Sequence, residues 1–481
     1  MRKREILSTA FFIFLILILI MDNALILPNE VLIAADLGVS FDAIGILIGI
    51  YTIIRGISIL VVGYLSDKMN RKKILIISGL VWTIPVFFYI FIMEFWQLLI
   101  FRIIAAIATG VTAPLTISYL ADMISPKSRS KSFAVWGLFE TFATLFASFF
   151  ALAFNLIDFE AIGGTPSEKI SYITLNYPNL LNTWRLPYFY LAILGIIIII
   201  VNFFIVVEPK RAGKETYFED LISKENLQYS YKIKISDLKY IFKRKSNFFL
   251  IFNFFDVIAS GLLVAYLFPY FQLEVGVNII DLKIIILFLI IIIFGLILGQ
   301  FWLAHWGDRK VQKGDLSGRV RIAVICSILN LPFLLIGFAM SPNIANQSFF
   351  FNSLIVNETG FWVLWIIYAA FLGLGMAFTF GIAPNWYSSM IDVNYPEHRG
   401  TMIAVASFID TIGRAIGAFI GGFLLLIIGI TFTIIWTMLV FGIISIGFWI
   451  PLFFTAQKDF NSVNEFMKER AQEMGKKKNT N

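Results

Sequence analysis

Seven ionisable side chains interrupt runs of otherwise aliphatic and aromatic residues: Asp22, Arg55, Arg102, Glu140, Asp256, Asp410 and Arg414. A charge at the centre of a bilayer costs about 3 kcal/mol or more, so each must face a cavity or a partner. Glu140 has Thr144 four residues on, so no arginine there holds it ionised. A carboxyl desolvated in such a place binds a proton more tightly, which suits it to load and release one as access alternates between two sides. Asp22 and Asp256 are rival carriers. Asp410 and Arg414 stand four apart on one helical stripe and can neutralise one another. That stripe also carries Gly413, Gly417 and Gly421 of "GRAIGAFIGG", so close helix packing accounts for it equally well. Arg55, inside "IYTIIRGISIL", offers a guanidinium that can grip a carboxylate or phosphate with two parallel hydrogen bonds. This favours an anionic or amphipathic solute; a salt bridge to Asp22 explains Arg55 about as well.

Other chemistries find no support in the residues. No GxxxxGKS phosphate loop, nucleophile constellation or metal-ligand spacing occurs, so neither an enzyme nor a cofactor or metal is expected. Cys326 is the single cysteine, which excludes an intramolecular disulfide. His305 and His398 fall near cytoplasmic span ends and read as interfacial. The triplets NQS at Asn346 and NET at Asn357 are candidate glycosylation acceptors on the outer side.

The elements that must position these charges follow from composition. Of 481 residues, 59% are hydrophobic, 16% aromatic and only 14% charged, against about a quarter charged in soluble domains. Stretches such as "FFIFLILILI" suit a bilayer, which needs about 20 apolar residues per helical span. Twelve spans can be marked, at about 8–31, 42–65, 74–93, 96–123, 132–155, 186–207, 247–272, 282–305, 319–340, 361–389, 400–427 and 430–455. The opening "MRKREIL" imitates a signal peptide, but the run behind it is long, lacks a small-residue cleavage site and carries Asp22, so it reads as a retained first span.

Basic residues set the orientation, because they are retained on the cytoplasmic side. Thirty-two of the 38 lie on the termini and the even-numbered connections. The exceptions are Lys169, Arg185 and Lys283 outside and Arg55, Arg102 and Arg414 within spans. Both termini are thereby placed in the cytoplasm. The net charge of +7 is a topology and lipid-surface signal, and no nucleic-acid partner is expected.

A polar break divides the spans into two sets of six. The expected organisation is a six-helix bundle over 1–207, a cytoplasmic linker over 208–246, a second bundle over 247–455 and a cytoplasmic tail over 456–481. Residues 235–242 of the linker could form an amphipathic helix on the inner leaflet or a solvated connector. The two halves also repeat. At a shift of 241, Asp67 meets Asp308 and Pro28 meets Pro269. At a shift of 270, Asp122 meets Asp392, Arg129 meets Arg399 and Glu140 meets Asp410. Duplicated helical units are how many transporters build halves that rock around a central site.

Residues 63–73, "GYLSDKMNRKK", fill the cytoplasmic turn between spans 2 and 3. Gly63 would let two helices approach closely, and Asp67 can cap a neighbouring helix N-terminus. The loop resembles the signature of the major facilitator superfamily: a glycine, an aspartate four on, then basic residues, here Gly63, Asp67, Arg71, Lys72 and Lys73. The second half keeps a weaker copy, "AHWGDRKVQK", with Asp308 and Arg309. The resemblance covers essentially the whole chain. It implies an all-α integral membrane protein of twelve transmembrane helices in two pseudo-symmetric six-helix bundles, the major facilitator fold. It also implies a cytoplasmic latch in which Asp67 meets the start of span 11, with Asp122 and Arg129, and by repetition Asp392 and Arg399, in a charge network. An acidic residue of span 1 is implied to couple to the arginine of span 4, here Asp22 and Arg102, which puts Asp22 ahead of Glu140 as carrier.

A narrower resemblance is to the Spinster-like lipid and organic-anion transporters, on "MDNALILPNEVLIAADLGVS", "YLADMISPKSRSKS", "NTWRLPYFYLAILG" running to "VVEPKRAG", and "NWYSSMIDVNYPEHRGT". Span 4 departs, reading "IATGVTAP" where those proteins commonly carry an acidic residue after the glycine.

The expectation is a secondary active transporter in the cell membrane, monomeric and multi-pass. It moves a small organic solute by alternating access, coupled to protons or another ion. A transport-inactive receptor or scaffold of the same fold is the alternative. The topology has a direct test: cysteines introduced singly at Gly164 and Asn352 react with an impermeant thiol reagent applied to intact cells, and one at Lys224 does not. Labelling of Lys224 from outside would overturn the map.

Overall fold

A computed structural model describes residues 3–154, 157, 166–212, 214, 238–253, 255–269, 291, 293–340 and 358–479. Gly164, Lys224, Lys283, Asn346, Asn352 and Asn357 lie outside them, as do 215–237 of the linker and 282–290 of the eighth expected span.

The described chain is helical almost throughout. The first half holds α1 (Lys3–Ala24), α2 (Glu30–Asp36), α3 (Phe41–Lys68), α4 (Arg71–Phe87), α5 (Phe95–Thr109), α6 (Thr112–Met123), α7 (Arg129–Phe154), α8 (Pro166–Asn176) and α9 (Arg185–Ile205). The second holds α10 (Leu238–Lys243), α11 (Lys245–Phe252), α12 (Phe255–Pro269), α13 (Ala304–Gln312), α14 (Gly318–Ala339), α15 (Glu358–Asp392), α16 (Arg399–Ile428) and α17 (Ile430–Asn479). Among the described residues, ten helical segments are long and apolar enough to cross a membrane. Helices are the form the bilayer demands, because no water there can satisfy an open backbone. Apolar side chains left exposed on peripheral helices, such as Ile200 and Phe203 of α9 and Phe432 and Trp436 of α17, form the surface a lipid would cover.

Local residues decide where helices start. Asn70 accepts a hydrogen bond from the Lys73 N–H at 3.1 Å and caps α4. Glu94 and Gln97 form a reciprocal capping box at the start of α5.

Several expected spans are less simple than their apolar runs. The first ends at Ala24 and is followed by a 3-10 turn and the short α2. The fourth is α5 and α6, separated at Gly110. The seventh is interrupted at Asn253, which leaves the helical region between α11 and α12. A π-helical turn over Leu298–Leu303 precedes α13. The tail is the continuation of α17, which runs unbroken to Asn479. The C-terminal part of α17 is held to its own bundle: Arg470 meets Glu397 at 2.5 Å, and the Phe466 and Tyr395 rings lie 4.7 Å apart.

The halves meet where α3 packs on α16 and where α7 packs on α13 and α15. Gly63 is indispensable to the first contact, because a Cβ there would overlap Ala404 Cβ and lie 2.9 Å from the Gly400 carbonyl oxygen. Replacing Gly63 by valine therefore forces α3 and α16 apart. The expected cost is about 1–3 kcal/mol, read as a lower thermal midpoint for the purified protein. An unchanged midpoint would show that the two helices do not pack this closely.

Candidate functional site

At one end of the bundle the two halves are joined by paired carboxylates and arginines. Asp67, at the end of α3, accepts hydrogen bonds from the Gly400 N–H at 2.9 Å, the Thr401 N–H at 2.6 Å and the Thr401 hydroxyl at 2.9 Å. The two N–H groups belong to the first turn of α16 and have no acceptor within their own helix. Asp308 of α13 repeats the arrangement on α7, accepting from the Ser130 N–H at 3.1 Å and the Lys131 N–H at 2.9 Å. Each half thus caps a helix of the other. The positive end of the capped helix favours the carboxylate.

A second layer surrounds the caps. Arg71 holds Asp122 at 2.7 Å, and Arg319 holds Asp308 at 2.6 Å and also bonds Asp392. Across the interface, Arg129 reaches Asp392 at 2.5 Å, and its counterpart Arg399 approaches Asp122 at 3.9 Å. The Ser130 hydroxyl donates to Ser388 Oγ at 2.9 Å. The structure therefore gathers Gly63, Asp67, Arg71, Asp122, Arg129, Asp308, Asp392 and Arg399 at one end of the bundle.

Sequence reasoning missed Arg319. In the first half the arginine follows the aspartate by four residues, whereas Arg319 follows Asp308 by eleven. The longer turn moves it out of the motif's spacing. The segment after α9 was also missed. Glu208 accepts from the Lys72 N–H at 2.9 Å, the Arg211 guanidinium donates to the Ser66 carbonyl at 2.7 Å, and the Ala212 N–H donates to Asp122 at 3.0 Å. Ala212 adopts a φ of 55°, unusual for alanine, to aim that N–H. Burial, and then the neighbouring Arg71, pulls the Arg211 group below the usual arginine range.

Asp22 and Arg102 form a buried pair at 2.9 Å inside the first bundle. Arg102 also donates to Asn23 at 3.1 Å and lies over the Tyr51 ring, 4.0 Å from its centroid. The Tyr51 hydroxyl donates to Asp22 at 3.1 Å. Arg55 donates instead to the Thr112 hydroxyl at 3.2 Å, and its Nε is buried without a partner.

Glu140 belongs to a different group. The charges that act on its carboxyl are Arg55 of α3 and Arg414 and Asp410 of α16, so it lies where the halves face each other. Asp410 and Arg414 are bonded at 3.1 Å, and half of the Arg414 side chain stays accessible. Arg414 also reaches the Ser260 hydroxyl at 3.4 Å. The same two residues act on Asp256 of α12, and with Glu140 they act on Tyr387 of α15. The glycine stripe has its own role on α16: a Cβ at Gly417 would overlap the Ile258 backbone of α12. One helix face therefore supplies both the packing and the charge pair.

The paired architecture has counterparts. Residues 12–356 match the sequence profile of the Major Facilitator Superfamily. The chain belongs to that superfamily. An uncharacterised superfamily transporter of Bacillus subtilis, YhcA, is 27% identical over 184 residues, which are 38% of this chain and 30% of that protein. The match thus spans under a third of that relative's length. The human organic anion transporter MFSD10 has a similar fold, with a TM-score of 0.58 and 14% identity over 95% of this chain and 100% of that one. A bacterial homologue of the human lysosomal transporter Spinster, inward-facing and unoccupied, gives a TM-score of 0.52 and 16% identity over 95% of this chain and 99% of that one.

The caps make a prediction about closure. Asp67→Asn removes charge-assisted bonds, each of which contributes about 1.5–3 kcal/mol, and so shifts the molecule toward a form open at this end by tenfold or more. Ser388, fully buried at the interface, serves as the reporter. In a Cys326→Ala background, a cysteine replacing Ser388 should react faster with a thiol reagent added to the purified protein when Asp67→Asn or Arg319→Ala is present. Unchanged labelling in both would show that these residues only mark topology.

Proposed function

We propose that this chain is a secondary active transporter that moves a small organic solute between two six-helix halves by alternating access, driven by a proton gradient. The observation that carries this reading is the reciprocal capping of α16 by Asp67 and of α7 by Asp308, with a charged cluster lying between the same halves. Such bonds are strong together yet separable, because each buried N–H and carboxylate can exchange its partner for water when that side opens. In the closed arrangement the cluster is sealed from the cytoplasm, which corresponds to an outward-facing state.

An anionic or amphipathic solute suits the cluster. Arg55 has an unpartnered nitrogen and Arg414 is half accessible, so two guanidinium groups are available to a carboxylate or phosphate. The fold likeness to a protein named as an organic anion transporter agrees with that chemistry. The membrane is the cell membrane, with both termini in the cytoplasm, and the working unit is a monomer.

For the proton carrier the geometry favours Glu140 over Asp22. Asp22 is tied to Arg102 and Tyr51 inside one bundle, so its release would dismantle that bundle's interior. Glu140 faces the interface, where access changes with the cycle. The test is uptake into proteoliposomes with a panel of organic anions and amphiphiles, with and without an imposed pH gradient. Glu140→Gln should lose gradient-driven accumulation while retaining counterflow exchange, whereas Asp22→Asn should lose both. Full gradient-driven accumulation by Glu140→Gln would remove Glu140 as the carrier, and absence of gradient-driven uptake across the panel would count against the transport reading.

A further inference from the structure

Within the second bundle, α12, α14, α15 and α17 line a cavity of about 50 Å³. Each of the four helices contributes polar side chains to its lining: Asp256 and Ser260, Ser327 and Asn330, Thr379, and Ser445. We propose that this cavity is a binding site for a small monovalent cation of sodium size, with the Asp256 carboxylate as its charged ligand and hydroxyl and amide oxygens as its neutral ones.

The hydrogen bonds of the lining leave acceptors free. Ser260 donates its proton to the Val257 carbonyl at 3.0 Å and accepts from Arg414 at 3.4 Å, which leaves it one lone pair, and Thr379 donates to the Gly375 carbonyl at 3.0 Å. Asn330 gives its amide N–H to Thr379 at 3.4 Å, which leaves its carbonyl oxygen as the available end. A hydroxyl whose proton is already engaged can offer only lone pairs. The Ser445 hydroxyl is 1% exposed and has no hydrogen-bond partner, although an unpartnered buried hydroxyl is costly. These oxygens suit a hard cation and repel an anion.

Charge and size narrow the ion. The cavity carries one carboxylate, enough to neutralise one positive charge. Among the described residues no group of three or more His, Cys, Asp or Glu side chains could hold a metal ion, which argues against a divalent occupant. A volume of about 50 Å³ has room for one small ion together with waters that complete its coordination. The neighbouring Arg414 touches the lining through Ser260 at 3.4 Å, but its ion pair is with Asp410 and half of its side chain stays accessible, and among the described residues no ion pair joins it to Asp256. The first bundle offers the contrast: its buried Asp22 has a built-in cation, Arg102. Asp256 lies on the restarted half of an interrupted span, and such broken helices are where transporters place coupling ions.

The inference deepens the transport reading, since the ion would be a second coupling species, but its test does not depend on transport. Purified protein in detergent is unfolded by heat, and exposure of Cys326, the sole and buried cysteine, is followed with a thiol-reactive dye. Sodium chloride should raise the midpoint by a few degrees over choline chloride at equal ionic strength. Asp256→Asn should abolish that difference, and Ser445→Ala should weaken the apparent sodium affinity several-fold. Thr379→Val, which keeps the carboxylate, should also weaken it and stands in if Asp256→Asn does not fold. No sodium-specific shift in the wild-type protein, or an unchanged shift in the variants that fold, would overturn the site. A sodium shift in a protein without uptake would support the site while sinking the transport reading, and uptake without a sodium shift would do the reverse.

Discussion

Two buried helix N-termini impose the constraint on which the contact between the halves depends. α7 and α16 begin deep in protein, and the N–H groups of a first helical turn have no acceptor of their own. Neither bundle satisfies its own helix: Asp308 of the second caps α7 and Asp67 of the first caps α16. Docking the halves therefore meets a hydrogen-bonding requirement on both sides at once. Undocking must transfer the same groups to water. A closure built this way is selective for one geometry and still reversible, unlike one built on a large apolar seam.

The arginines tune the same interface. Asp392 is shared by Arg129 from the opposite half and Arg319 from its own, whereas Asp122 is held by Arg71 and the Ala212 N–H while Arg399 stands farther off at 3.9 Å. The two sides of the duplicated network are thus similar in topology and unequal in strength. Part of the difference comes from the strap after α9, which supplies a backbone donor to Asp122. On the other half, the extension of α17 binds Glu397 in the loop that leads into α16. Each half braces its own share of the closure with a segment outside the repeat.

Intramembrane charge is handled differently in the two bundles. The first encloses Asp22 with Arg102 and tyrosines, so the ion pair belongs to its interior. The second sets Asp256 at a cavity that polar and apolar side chains line together, and places Asp410 and Arg414 toward the other half. Burying a charge pair is neutral or costly for stability unless geometry and hydrogen bonds are good. The first arrangement suits a fixed scaffold, and the second suits groups that change partners.

The sequence by itself determined the membrane-spanning helical class, because apolar runs of span length have no stable alternative in a bilayer. It also made the duplication legible, through matched pairs such as Asp122 with Asp392 and Arg129 with Arg399, and it marked Gly63 and Asp67 as residues of a close helix contact. Those are properties of residue type and spacing along one chain. Tertiary structure alone decided the rest. Arg319 entered the network because a longer turn, invisible to motif spacing, returned it to Asp308; Arg55 met Thr112 and not Asp22; and the break at Asn253 lies inside a run that reads as continuous. In each case the choice was between partners far apart in sequence but equal in chemical type, and only packing sets which of them lies within hydrogen-bonding distance.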